Sequence, residues 1–167
     1  MVLEFLIAFL GLIAGFFLNK VVKEELEPGK KYFAYLSIAL LVCIIISSIA
    51  PIWDIFIGIL IGIILSYLIT KVYFYFGISA LASILSNKSI ILLSGLIFVF
   101  GLSYAALDYK GVNKKFLLKS LIFFFIPFLL LLVNIFPGFY TIFSGISIGG
   151  LIMSIIKIKK ATCSLRF

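Results

Sequence analysis

Residues 71–88 read KVYFYFGISALASILSNK, an apolar segment with a lysine at each end. Its apolar part, Val72–Ser86, is the shortest of seven apolar runs in the chain. These 15 residues would form a helix of about 23 Å, whereas the hydrocarbon core of a bilayer is about 30 Å thick. Whether this segment crosses a membrane or lies on its surface therefore decides the fold.

The composition of the chain identifies lipid as its solvent. Of its 167 residues, 65% are hydrophobic and only 12% are charged, and the mean hydropathy is +1.36. A soluble domain has about 45–50% apolar and about 25% charged residues, and at this size it buries only about 70% of its surface. These proportions exclude a soluble enzyme, a nucleic-acid-binding module and a disordered tail.

The apolar runs predict an all-α, polytopic transmembrane helix bundle that forms a single integral membrane domain over residues 1–167. A spanning helix needs about 20 apolar residues, within a range of about 17–25, and six of the seven runs reach it. With the short run included, the predicted spans are residues 2–18, 32–49, 52–70, 72–86, 89–107, 116–136 and 139–156.

The distribution of positive charge favours seven spans. If Val72–Ser86 does not cross, the lysine and arginine residues divide six to eight between the two sides; if it crosses, they divide thirteen to one, with Lys88 alone on the far side. Positive residues concentrate in cytoplasmic loops, which predicts a plasma-membrane protein with its amino terminus outside and its carboxyl terminus in the cytoplasm. In this topology Tyr73 and Tyr75 are expected toward the inner surface, at headgroup level.

Glycines four residues apart recur in three of the predicted spans and are expected to form helix-packing faces. The pairs are Gly11/Gly15, Gly58/Gly62 and Gly145/Gly149. The last two pairs each follow a proline-containing turn and precede a lysine, which suggests that spans 1–3 and 5–7 are parallel repeats joined by span four. Ser79 and Ser83 form a similar small-residue pair in that fourth span.

Residues that usually carry catalysis or hold cofactors are scarce in this chain. It has no histidine and only two cysteines, Cys43 and Cys163, so the commonest general base and the commonest metal ligand are both missing. No pair of acidic residues has a spacing that would bring the two together in mid-membrane. We therefore predict no enzyme activity, no bound metal and no cofactor.

A few charged or polar residues are weak candidates for binding. Glu4, Asp54, Lys119 and Asn134 lie near the ends of predicted spans, where a headgroup-level or helix-ending role competes with contact to a solute. The charged segment between spans one and two is predicted to be a loop with a turn at Pro28-Gly29. Its acidic residues Glu24, Glu25 and Glu27 form either a solvated surface or a docking patch for a cytoplasmic partner.

Two functions fit these observations. The first is a small permease or channel-like bundle for a neutral or lipophilic solute, because parallel repeats occur in known transporters. The second is a non-catalytic subunit or assembly partner of a larger membrane complex. The net charge of +8 predicts contact with anionic lipid headgroups on the cytoplasmic side and no binding of nucleic acid. The glycine faces could also pack against a second copy of the chain or against another protein.

Overall fold

The computed structural model describes residues 2–21, 23–49, 54–86, 90–107, 114–129 and 139–164. Within these ranges it describes all side chains but those of residues 2–6, 19–20, 23–28, 114 and 161–164. The described residues are almost entirely helical and include no strand. The prediction of an all-α protein is confirmed.

Seven α-helices make up the described part of the chain. They are α1 (Val2–Val21), α2 (Lys23–Ser48), α3 (Asp54–Leu68), α4 (Val72–Leu85), α5 (Ile90–Leu107), α6 (Lys114–Phe125) and α7 (Tyr140–Ser164). Three of them contain segments long and apolar enough to cross a membrane: Gly29–Ser48, Ile90–Leu107 and Tyr140–Lys160. Shorter apolar helices cover Ile7–Leu18, Asp54–Leu68 and Val72–Leu85.

The charged segment that begins α2 differs from the prediction. The predicted loop and its turn at Pro28-Gly29 are wrong, because α2 is continuous from Lys23 to Ser48. Lysine, glutamate and leucine all have high helix propensity, and α2 continues through Pro28 although proline removes one N–H from the hydrogen-bond ladder and crowds the carbonyl four residues earlier. Glu24, Glu25 and Glu27 therefore lie on the first turns of a helix and not in a loop.

Helix α6 gives way to a 3₁₀ turn within the predicted sixth span, 116–136, of which residues 130–136 lie outside the described residues. Its α-helical part ends at Phe125, and a 3₁₀ turn over Ile126–Phe128 follows, with Pro127 buried inside it. Proline has no N–H and its ring clashes with the carbonyl four residues earlier. The regular α-helix therefore stops just before this residue.

The helices pack as two close pairs around α4. Helix α1 packs along α5 and α3 packs along α7, while α4 contacts α2, α5, α6 and α7. Ten of the 14 residues of α4 are buried, whereas α3 buries only four of its 15. A helix that is apolar around its whole circumference belongs inside a bundle, and α4 is the interior helix of this one.

An aromatic cluster fixes the first turns of α4 in the core. Tyr73 contacts Phe9, Phe76 and Tyr104 with ring centroids 6.0, 5.6 and 6.4 Å apart, all edge to face. Tyr73 and Tyr75 are 2% and 1% exposed. Neighbouring helices therefore enclose both rings at the start of α4, and their depth in a membrane stays a prediction.

Candidate functional site

A small polar cavity lies where the end of α2, the second half of α4 and the start of α7 meet. We call it the serine cavity; its lining consists of Ser48, Ser79, Ala82, Ser83, Ser86, Tyr140 and Ser144. Its volume is about 10 Å³, which is room for about one water molecule. The described lining thus presents six hydroxyl groups and no charged side chain.

Helical spacing brings these hydroxyls together. On α4, residues 79, 83 and 86 are four and three positions apart, which places them on one helix face. Ser48 is the last residue of α2, and Tyr140 is the first residue of α7, with Ser144 one turn later. Three helix segments therefore converge on one point through residues distant in the sequence.

Hydrogen bonds join the three helices at the serine cavity. The hydroxyl oxygens of Ser48 and Ser79 are 2.9 Å apart, and Ser48 Oγ is 2.8 Å from the carbonyl oxygen of Ile44, to which it donates. Since a serine has only one hydroxyl hydrogen, Ser79 is the donor to Ser48. The hydroxyl of Ser144 donates to the carbonyl of Ser48, a group that the end of a helix leaves without an intrahelical partner.

The remaining lining groups can bind a neutral molecule. Ser86 Oγ donates to the carbonyl of Ser83 across 3.3 Å, a long hydrogen bond. Among the described residues, the lining includes no carboxylate, amine or imidazole, so these residues supply no base to activate a serine as a nucleophile. What this arrangement can supply is donation and acceptance of hydrogen bonds to an uncharged, polar partner.

The opposite end of the bundle carries lysines. Lys157 of α7 donates from Nζ to the carbonyl oxygen of Ser66, 3.0 Å away in the last turn of α3. Lys71, just before α4, holds its ammonium nitrogen 5.6 Å from the ring centroid of Phe116. Positive charge is favourable at a helix carboxyl end and over an aromatic face. Among the described residues, lysines therefore lie at the start of α4 and the end of α7, away from the serine cavity.

The predicted binding residues lie elsewhere. Asp54 is the exposed first residue of α3, where a carboxylate is favourable at a helix amino end, and Lys119 is exposed on α6. Neither lines the serine cavity. Glu4, like the three glutamates of α2, belongs to a helix, but these side chains lie outside the described residues, as does Asn134 altogether.

The predicted glycine positions lie at the two close helix pairs. Gly58 of α3 faces Gly145 of α7. Gly62 faces the backbone of Ile146, and Gly149 faces the backbone of Ile59. On the other side of the bundle, Gly11 and Gly15 of α1 face the backbone of α5. A third partner there was not singled out from the sequence: a Cβ built on Gly101 would lie 2.6 Å from the backbone nitrogen of Leu12.

Sequence reasoning found only part of the serine cavity. Ser79 and Ser83 were noted as a small-residue packing pair, but Ser48, Ser86 and Ser144 were not connected with them. The available signal was the row of serines on one face of α4. Comparison with protein-family models, curated proteins and solved structures finds no match for the chain, so a functional proposal has to rest on the geometry.

Proposed function

We propose that this chain is a seven-span plasma-membrane protein, with its amino terminus outside and its carboxyl terminus in the cytoplasm, that acts as a small permease or channel-like bundle for a neutral solute. The serine cavity is its first solute contact. The lysine-bearing end of the bundle faces anionic headgroups of the inner leaflet.

The position of α4 supports an odd number of spans. Ten of its 14 residues are buried, and it contacts four other helices, which is not the environment of a helix resting among headgroups. Its length of about 21 Å falls short of a bilayer core of about 30 Å. A helix screened from lipid by its neighbours does not have to match that thickness, because mismatch acts on the lipid-exposed surface.

The helix pairing supports the parallel repeat in two of three positions. Helices α1 and α5 are the first members of the two triplets and pack together, as do the third members, α3 and α7. The second members differ, since α2 packs on α5 and α7 whereas α6 packs chiefly on α4. This side-by-side packing of corresponding helices is the support for the repeat, although one twofold axis along the membrane normal cannot pass between both pairs, because they lie on different sides of α4.

The serine cavity is the single observation that carries the choice of a neutral solute. In the proposed orientation it lies at the outer end of the bundle, away from Lys71 and Lys157. Six hydroxyls can replace part of the hydration of an uncharged polar molecule, whereas they offer an ion no compensating charge. Its present volume admits only about one water molecule, so passage of a larger solute requires α4 and α7 to separate.

Proteoliposomes test this proposal. We expect the wild-type chain to raise the permeability of vesicles to water or to a small neutral solute such as glycerol or urea, measured by stopped-flow light scattering. Ser83→Leu fills the cavity and should return permeability to that of empty vesicles. Ser103→Ala is the matched control, because Ser103 is a buried serine of α5 that bonds only the carbonyl of Val99 in its own helix, 3.0 Å away.

The alternative function is a non-catalytic subunit of a membrane complex. The observation that favours it is the outer face of α3, which exposes a row of large apolar side chains to lipid or to a partner helix: Phe56, Ile57, Leu60, Ile64, Tyr67 and Leu68. Purification in mild detergent separates the two functions. A stoichiometric second chain together with unchanged vesicle permeability would replace the permease proposal with this one.

A further inference from the structure

An open apolar groove lies between α1 and α6, away from the serine cavity. It has a volume of about 390 Å³, and its lining consists of Phe9, Ile13, Phe16, Phe17, Leu117, Leu118 and Leu121. This volume falls within the range of about 300–1,000 Å³ of ligand sites. Phe17 and Leu118 are 60% and 59% exposed, so the groove opens sideways, toward the lipid in a membrane-spanning bundle.

The two helices that form the groove are antiparallel. Phe9, in the first half of α1, contacts Phe124 near the end of α6 with ring centroids 6.2 Å apart. The end of α1 and the start of α6 therefore lie at the same end of the groove.

At the end of the groove where α1 ends and α6 begins, the lining face of each helix leads to a lysine position. On α1 the lining residues 9, 13, 16 and 17 lead, at helical spacing, to Lys20. On α6 the lining residues 117, 118 and 121 lead back to Lys114, the first residue of the helix. Both positions are three or four residues from the nearest lining residue, so each helix face that forms the groove ends in a lysine.

The length of the groove matches one leaflet. From Phe9 to Phe17 the helix rises by about 12 Å, and one leaflet of a bilayer core is about 15 Å thick. An apolar groove of this length, whose two walls lead to lysine positions at one end, complements a molecule with a hydrocarbon chain and an anionic head. We propose that the groove binds one acyl chain of an anionic phospholipid, with the phosphate at the end where Lys20 and Lys114 stand.

This lipid site is independent of the proposed solute path, because the groove and the serine cavity share no lining residue. It also does not depend on which face of the membrane the lysines occupy. A failure of the permeability experiment therefore leaves this proposal standing, and the reverse also holds.

The test uses the full chain in detergent, titrated with phosphatidylglycerol or with phosphatidylcholine of identical acyl chains and followed by native mass spectrometry. We expect one phosphatidylglycerol to bind at least tenfold more tightly than phosphatidylcholine. Each lysine near an anionic headgroup changes affinity about fivefold, so Lys20→Gln with Lys114→Gln should weaken phosphatidylglycerol about 25-fold and leave phosphatidylcholine unchanged. The matched control is Lys159→Gln with Lys160→Gln, two exposed lysines of α7.

A second variant tests the apolar part of the site. Ile13→Trp places a large ring in the groove and should weaken both lipids, whereas Ile64→Trp on the exposed face of α3 should weaken neither; size-exclusion profiles and circular dichroism confirm folding of each. Equal affinity for the two lipids, or equal losses in the two lysine double variants, would overturn the proposal. Retention of a second copy or of another protein on this face, with no phospholipid, would also overturn it.

Discussion

Gly58 of α3 and Gly145 of α7 face each other with no space for a side chain between them. A Cβ built on Gly145 would lie 2.8 Å from the Cα of Gly58, and a Cβ built on Gly58 would lie 2.9 Å from the Cα of Gly145. In a membrane, where lipid tails are as apolar as leucine, close backbone packing of this kind drives helix association. The close packing of α3 against α7 therefore requires glycine at both positions, 58 and 145.

Replacement of either glycine should destabilise the bundle. We expect Gly145→Ala to lower the free energy of unfolding by about 1–3 kcal/mol, the usual cost of overpacking, measured by thermal or denaturant unfolding in detergent. Gly95→Ala is the control, because a Cβ at Gly95 of α5 meets nothing within 4 Å; there alanine should stabilise the helix by up to about 1 kcal/mol. Equal effects of the two variants would contradict the packing argument.

The two buried tyrosines at the start of α4 should respond oppositely to loss of their hydroxyl. Tyr75 donates to the carbonyl oxygen of Ile69 at 2.9 Å, so Tyr75→Phe should cost about 1 kcal/mol. The hydroxyl of Tyr73 has no hydrogen-bond partner among the described residues, and Tyr73→Phe should be neutral or stabilising because it removes a buried polar atom. The same unfolding assay compares them. A larger loss for Tyr73→Phe would mean that its hydroxyl has a partner in the folded protein.

A double-mutant cycle measures the hydrogen bond across the serine cavity. Ser48→Ala and Ser79→Ala each break the contact between α2 and α4, so the double variant should lose less stability than the sum of the single variants. The coupling energy should be about 0.5–1.5 kcal/mol. A third single variant, Ser154→Ala, provides the additive control, because Ser154 bonds only the carbonyl of Gly150 in its own helix. Full additivity of the Ser48 and Ser79 changes would show that the contact adds no stability.

Labelling of single cysteines tests the proposed topology. In a Cys43→Ala background, a membrane-impermeant maleimide should reach Cys163 only in inside-out vesicles and Ser86→Cys only in intact cells. The reason is that the two positions lie at opposite ends of the bundle, Cys163 in the last turn of α7 and Ser86 just after α4. Cys43 itself is exposed within the apolar part of α2, where an aqueous reagent has no access. Labelling of both positions from the same side would reject an odd number of spans between them and the proposed orientation.

The pattern of apolar and polar residues along the sequence predicts most of the helices. Each of the seven apolar runs overlaps a helix of the structure, because long apolar runs in this composition leave backbone groups with no partner except within a helix. The local errors have local causes. The charged segment before Gly29 is helical because its residues favour helix, and a 3₁₀ turn that contains Pro127 follows the α-helical part of α6 where hydropathy alone predicts regular helix.

The same sequence pattern does not predict the serine cavity or the burial of Tyr73. Serine, tyrosine and glycine look alike in a hydropathy profile whether they face lipid, a neighbouring helix or a cavity. Ser48 and Ser144 are 96 positions apart in the chain, and nothing near either residue indicates the other. Their meeting depends on which faces of α2, α4 and α7 pack together.

Composition and periodicity alone determined that this polypeptide is helical and that some of its helices are apolar enough to cross a membrane, since both follow from the hydrogen bonding and hydration of each segment by itself. The tertiary structure decided the interior position of α4, the close glycine contacts of the α1–α5 and α3–α7 pairs, and the polar cavity at one end. These features arise from close packing between segments far apart in the chain, and the steric fit of one helix surface to another is not encoded within any single segment.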